Sequence, residues 1–156
     1  MPLLPPNREL RALYQAILEA WNDRDAGAMA AQFEVAGHMI GFDGSQVDSR
    51  QAIEANLRPI FASHPTPSYV AKVREVRGLS PTVAVLRAVA GMVPRGDADL
   101  KPALSTVHTL VGVQSAEGWR AAVFQSTPAA WHGRPEDAAT LVDELRAVLR
   151  SGVICA

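Results

Sequence analysis

The sequence predicts an α+β domain in which helices pack on one face of a curved antiparallel sheet. Three observations carry this. Apolar residues recur at helical spacing up to about Phe61. From Tyr69 onward they gather into long valine-rich runs separated by turn signals. A last helical stripe follows Pro135. Helices first, then clustered strands, indicate segregated helices and sheet rather than alternating βαβ units. A chain of 156 residues, 48% hydrophobic and 20% charged, has material for one core, so residues 1–156 are read as a single domain.

The elements follow in order. Leu10, Leu13, Tyr14, Ile17, Leu18 and Trp21 share a helical face, so a helix is expected from Asn7, as N-cap, to Asn22. Asp25 is placed to cap a short second helix reaching Phe33, weakened by Gly27. His38 to Phe42 reads as a strand. Asp43-Gly44 supplies residues that accept positive φ for a hairpin, with a short return strand at Gln46 and Val47. Asp48 or Ser49 then caps a third helix carrying Ile53, Leu57, Ile60 and Phe61, with Pro59 expected to kink it or end its regular part. After the rigid His64-Pro65-Thr66-Pro67 connector come strands at Tyr69–Arg77, Thr82–Val93, Leu104–Gln114 and Trp119–Thr127. Pro135 suits the first position of a final helix, Glu136 and Asp137 oppose its dipole, and Gly152 ends it.

Charge excludes several functions. The net charge is −1, the only lysines are Lys72 and Lys101, and the arginines are scattered, so no nucleic-acid or anionic-membrane partner is expected. No run approaches the ~20 apolar residues of a membrane helix. The Pro-rich start MPLLPPNREL lacks the cationic region of a signal peptide. A cytoplasmic protein is expected. Cys155, the single cysteine, permits no internal disulfide and is expected to be a bystander in a frayed tail. The four histidines show no metal-ligand spacing, and Asp97 with Asp99 supply too few carboxylates for calcium, so no metal is expected. Phosphate loops, Gly-x-Gly-x-x-Gly and Gly-x-Ser-x-Gly motifs are missing from the sequence, so no cofactor is expected.

The order of elements, with WNDRDAGAMAAQF, FDG, DSRQAI and the closing GWRAAVFQSTPAAWHGRPE, resembles the nuclear transport factor 2-like superfamily, which includes SnoaL-like polyketide cyclases and ketosteroid isomerases. The closing segment is most similar to the SgcJ/EcaC-type group. The resemblance covers nearly the whole chain. It implies a cystatin-like cone: a strongly bent antiparallel sheet wrapped around the first and third helices, here with an added C-terminal helix. In many relatives the cone holds small apolar molecules. The isomerases use an Asp base and a Tyr, whose positions fall at about Ile40 and Ile17 here. Both are apolar, so that mechanism is not carried over. Tyr14, one turn earlier on the same face as Ile17, is a possible substitute.

Candidate site residues follow from alternation inside such a cone. His38, Ile40 and Phe42 share one strand face; inward, His38 would be a base, and at the sheet edge it would only be solvated or hydrogen-bonded. His108 shares a face with Thr106 and Leu110, while Gln125 and Thr127 share one with Trp119, Ala121 and Val123. His108 and Gln125 are the preferred polar pair of an apolar pocket, against cross-strand bonding on a solvated face. Trp131 and His132 either form a lid, as wall and acid or base, or pin and brace the turn into the last helix. The catalytic candidates are thus His38, His108 and His132. Tyr14, Trp21, Phe42, Gln125, Thr127 and Trp131 are the substrate-binding candidates. Two functions are open: a pocket protein, as binder or acid–base enzyme, for apolar polyketide- or steroid-like compounds of natural-product metabolism, and a non-catalytic dimeric module. A small-molecule ligand and a homodimer are the partners expected.

Overall fold

In a computed structural model describing residues 6–156, the first helix, α1, spans Asn7–Asn22 and buries Leu10, Leu13, Tyr14, Ile17 and Leu18 along one stripe. Asn7 is its first residue rather than its cap, and its side-chain oxygen accepts from Arg11 one turn on. Most of the Pro-rich start lies outside the described residues.

Asp25 caps α2 (Ala26–Ala30) by accepting from the Ala28 amide at 2.9 Å. This helix stops short of Phe33 because Phe33 opens the first strand, β1 (Phe33–Ile40), and is fully buried. The strand therefore starts and ends earlier than the sequence pattern suggests. Gly44 takes φ 89° in the following turn, and β2 (Gln46–Asp48) returns antiparallel to β1. Ser49 caps α3 (Arg50–Ser63) by accepting from the Ala52 amide. Pro59 lies inside α3, which nevertheless continues to Ser63.

The strands β3 (Ser68–Ser80), β4 (Val83–Val93), β5 (Thr106–Ser115) and β6 (Gly118–Pro128) form an antiparallel meander, and α4 (Pro135–Ser151) closes the order. Leu104, expected to open β5, instead ends a 3-10 turn at Pro102–Leu104. The curved open sheet runs β2-β1-β6-β5-β4-β3. Every neighbouring pair is antiparallel except β1 and β6, which are parallel, a correction to the all-antiparallel expectation. β1 and β6 lie far apart in sequence, so the long crossover a parallel pair needs is available. Register shifts interrupt β1/β6, β3/β4 and β5/β6, and such bulges bend and twist a sheet.

Two apolar clusters lie on the two sheet faces. The inner one joins α1 to Phe33, Met39, Leu86, Leu110 and Phe124. The approach is close at Gly112, where an added Cβ would sit 2.7 Å from Leu10 Cδ1. The outer cluster joins Leu141, Val142, Leu145 and Val148 of α4 to Val70 and Val89. The pairs Arg74–Glu144 at 2.6 Å and Arg146–Asp99 at 3.0 Å fix α4 in register over β3 and the loop before β5. Both are largely exposed and add orientation more than stability.

Cys155 is not in a frayed end. Beyond α4, the Ala71 amide donates to Ile154 O, Val73 to Ala156 O, and Ala156 to Ala71 O, at 2.8 to 2.9 Å. The tail thus adds a short parallel strip to the free edge of β3.

Candidate functional site

The meander places His108, in the middle of β5, on the inner face opposite Ser126 of β6. Its side chain is fully buried. Tyr14, carried on the inward stripe of α1, meets it: the hydroxyl and Nδ1 share a hydrogen bond of 2.7 Å. Three aromatic rings surround the imidazole. Phe124 lies 4.8 Å away between centroids, Tyr69 5.1 Å and Tyr14 5.7 Å. Tyr69 leads on to Trp21 at 5.6 Å, and Trp21 to Phe61 at 5.2 Å. Trp21 Nε1 donates to Pro67 O at 2.8 Å, which ties this aromatic chain to the proline connector.

Desolvation sets the protonation states. Burial, with no carboxylate to offset it, pushes His108 down to about 3. Burial also raises Tyr14 well above the usual phenol value, and raises Tyr69 to about 12 with the Ser126 hydroxyl opposing. At neutral pH the group is an uncharged imidazole among uncharged phenols. A general base works best with a pKa near the operating pH, so this pair is suited to hydrogen bonding rather than proton abstraction. A neutral imidazole has one donor and one acceptor nitrogen. Tyr14 satisfies Nδ1, whereas Nε2 is buried without a partner among the described residues. Such an atom costs about 1–3 kcal/mol unless something meets it.

The other candidates lie elsewhere. His38 is on the outer face, its Nδ1 2.7 Å from Asp48 Oδ1, with the two side chains 51% and 68% exposed. β1 lies next to the edge strand β2, and His38 is solvated and hydrogen-bonded there rather than an inward base. Phe42 is 37% exposed and belongs to neither cluster. Gln125 and Thr127 are exposed and pair with Thr109 and Val107, whereas His108 pairs with Ser126. His108 and Gln125 therefore stand on opposite faces. The cause is the register shift at Val111/Gly112, where Ala122 is the extra residue of β6 and reverses the alternation after it. Trp131 packs on the outer cluster with φ 48° and the Arg134 guanidinium 5.0 Å from its ring. It pins α4 to the sheet. His132 is exposed in the turn beside it and is no part of the inner cluster.

Tyr69, Phe124 and Ser126 complete the inner site and were not among the sequence candidates. Tyr69 was legible, since alternation from the connector puts it inward with Ala71 and Val73. The other two depend on the bulge, for which Ala121-Ala122 gives no signal.

Four hollows are prominent, and none is lined by Tyr14, Trp21 or His108. One of about 520 Å³ lies among α2, α3 and the β5–β6 hairpin, with Arg50 and Arg120 on its wall. Two, of about 310 and 320 Å³, flank Trp131 beside α4. The fourth, about 580 Å³, adjoins the start of α1. The interior expected to be an open hollow is packed by the aromatic chain and its neighbours. Among the described residues there is no group of three or more acidic, His or Cys side chains placed to hold a metal.

No curated protein matches the sequence. Solved structures do match in fold. A domain with a cystatin-like fold from Nostoc punctiforme PCC 73102 superposes with a TM-score of 0.74 at 20% identity, over 93% of this chain and 96% of that one. A second cystatin-like protein from the same organism gives 0.71 at 14% identity, over 87% and 99%. A ketosteroid isomerase-like protein from Erwinia carotovora atroseptica SCRI1043 gives 0.63 at 17% identity, over 80% and 97%. At these identities the likeness is one of fold. The sequence profile of the SnoaL-like domain matches residues 10–131, from α1 through the whole sheet to Trp131, and the chain belongs to the SnoaL-like domain family.

Proposed function

We propose that this chain binds an apolar small molecule inside the sheet and holds one polar group of it at His108 Nε2. The unpartnered nitrogen of a fully buried imidazole is the observation that carries the reading. Tyr14 fixes the ring, Tyr69, Phe124 and Trp21 supply apolar contact, and Ser126 is the inward polar residue paired with His108 across β5 and β6. Apolar walls with few polar groups are the usual composition of small-molecule sites. The low His108 value favours a binding or carbonyl-polarising role over proton transfer. A polycyclic, polyketide- or steroid-like ketone of natural-product metabolism fits this chemistry. That setting agrees with the resemblance of the closing segment to the SgcJ/EcaC-type group.

The test compares 2-acetylnaphthalene with 2-ethylnaphthalene, which lacks the oxygen, by quenching of intrinsic fluorescence. The ketone should bind about tenfold tighter, the value of one hydrogen bond. His108→Leu should erase that preference and His132→Ala should leave it intact. Equal behaviour of the two variants would remove the assignment.

A second reading has its own support. The outer face of β1, β6 and β5 carries Ile40, Val123, Val111 and Val107, the last 37% exposed, while α4 packs mainly over β3 and β4. An apolar strip left uncovered beside a covered one suits a homodimer interface.

A further inference from the structure

We propose that residues 153–156 form a releasable strap that closes the seam between α1 and the free edge of β3 and controls entry to the Tyr14–His108 pair. The path of the chain is the first observation. α4 packs on the outer cluster, whereas Ile154 and Cys155 pack on the inner one. Between them the chain rounds the edge of the sheet. Gly152 makes that turn in the left-handed region at φ 81°, with no atom within 4 Å of where a Cβ would stand, so it is required for its backbone and not for space.

The second observation is what the strap touches. It pairs with Ala71 and Val73, which carry the inner face of β3 next to Tyr69. Burial raises the Cys155 thiol, Arg11 of α1 opposes this, and a Cys155 charge would hinder ionisation of Tyr14. α1 itself packs on β3, and Ile154 and Cys155 pack against the inner cluster the two share, so the strap lies at that seam.

The third observation is how weakly it is held. Three backbone hydrogen bonds and two half-buried side chains secure it, while Val153 and Ala156 are exposed. Segments with few buried contacts and edge hydrogen bonds open well below the free energy of global unfolding. Because none of the prominent hollows reaches His108, a ligand of the kind proposed above needs such an opening, and this inference rests on that reading only for what passes through.

The test needs no ligand. Diethyl pyrocarbonate acylates accessible imidazole nitrogens, and His38, His64 and His132, all exposed, are internal controls. In the intact chain His108 should react far more slowly than these three. Ending the chain at Gly152, or making Ile154→Asp, should speed acylation of His108 at least tenfold and leave the control rates unchanged. An unreactive His108 in a folded, strapless chain would overturn the proposal. If the variants do not fold, hydrogen exchange on the intact chain decides. The Ala71, Val73 and Ala156 amides should exchange together and at least a hundredfold faster than Leu86 and Leu110. Exchange of all five at one slow rate would sink the strap. Neither readout depends on whether naphthyl ketones bind, so failure of the binding site and failure of the gate are told apart.

Discussion

A histidine without a carboxylate beside it, sealed from water, is a neutral residue with a fixed hydrogen-bond pattern. His108 meets that description, and its folded value of about 3 lies far below the ordinary 6.5. The sign of the pH dependence follows. Between these values the unfolded chain binds a proton that the folded chain refuses, so the His108 contribution is intact above about pH 6.5 and is lost as the pH falls toward 3. NMR titration should show no protonation of His108 at any pH where the fold persists, and urea midpoints should fall from pH 7 to pH 5. A His108 resonance titrating near 6.5 in folded protein would contradict the burial argument. The partner can be tested too. Tyr14→Phe leaves both imidazole nitrogens unpaired and is expected to cost about 1–3 kcal/mol in urea unfolding. His108→Leu strands the Tyr14 hydroxyl by the same logic. The double variant removes both polar groups and should cost clearly less than the sum of the two, because no buried orphan remains.

At the scale of elements, the alternation of β6 decides what the site contains. A bulge is a one-residue event with consequences for every side chain after it. Before Ala122 the simple period holds, with Ala121 inward; after it Phe124 and Ser126 point in and Gln125 points out. Ser126→Leu is therefore expected to overpack the inner cluster at a cost of roughly 1–3 kcal/mol. Gln125→Leu should stay within about 0.5 kcal/mol, as exposed substitutions do. Thermal denaturation of both checks this, and the reverse order would put the bulge elsewhere. The same event marks the limit of what the sequence shows. α1, α3, α4 and the meander were legible because their apolar stripes and turn residues are local signals. So was the inward placing of Tyr14 and His108, each on an uninterrupted element. The parallel pairing of β1 with β6 leaves no local signal, since it depends on contacts between distant segments. The outward turn of Gln125 was hidden for a different reason: bulge formation at two adjacent alanines leaves no composition to read. The tail strip on β3 was also hidden, because four residues are too few to show a period.

For the whole molecule, the sheet has one face committed to α1 and another only half covered. α4 takes the β3–β4 half, secured by Leu145, which is fully buried. The other half, β1, β6 and β5, keeps Val111 and Val123 as direct neighbours, with Ile40 and Gln125 paired beside them. An edge-on contact through β2 would bury little, and the edge of β3 is occupied by the tail at Ala71 and Val73 and carries Arg74, Glu75 and Arg77 beyond it, charges that discourage further strand addition. That leaves the open half-face as the surface best able to exclude water against a second copy. A stable dimer needs about 800 Å² from each partner, and a face three strands wide can supply it. Sedimentation equilibrium at micromolar concentration is expected to give twice the 16.7 kDa chain mass. Val111→Lys should shift the species to monomer by placing charges of like sign near the contact on both copies, while leaving the thermal midpoint of the monomer within a few degrees, since Val111 is not part of either buried cluster. A wild-type chain that sediments as a monomer would show that the valines of this half-face are ordinary surface residues, and the fold would then have no use for leaving α4 off them.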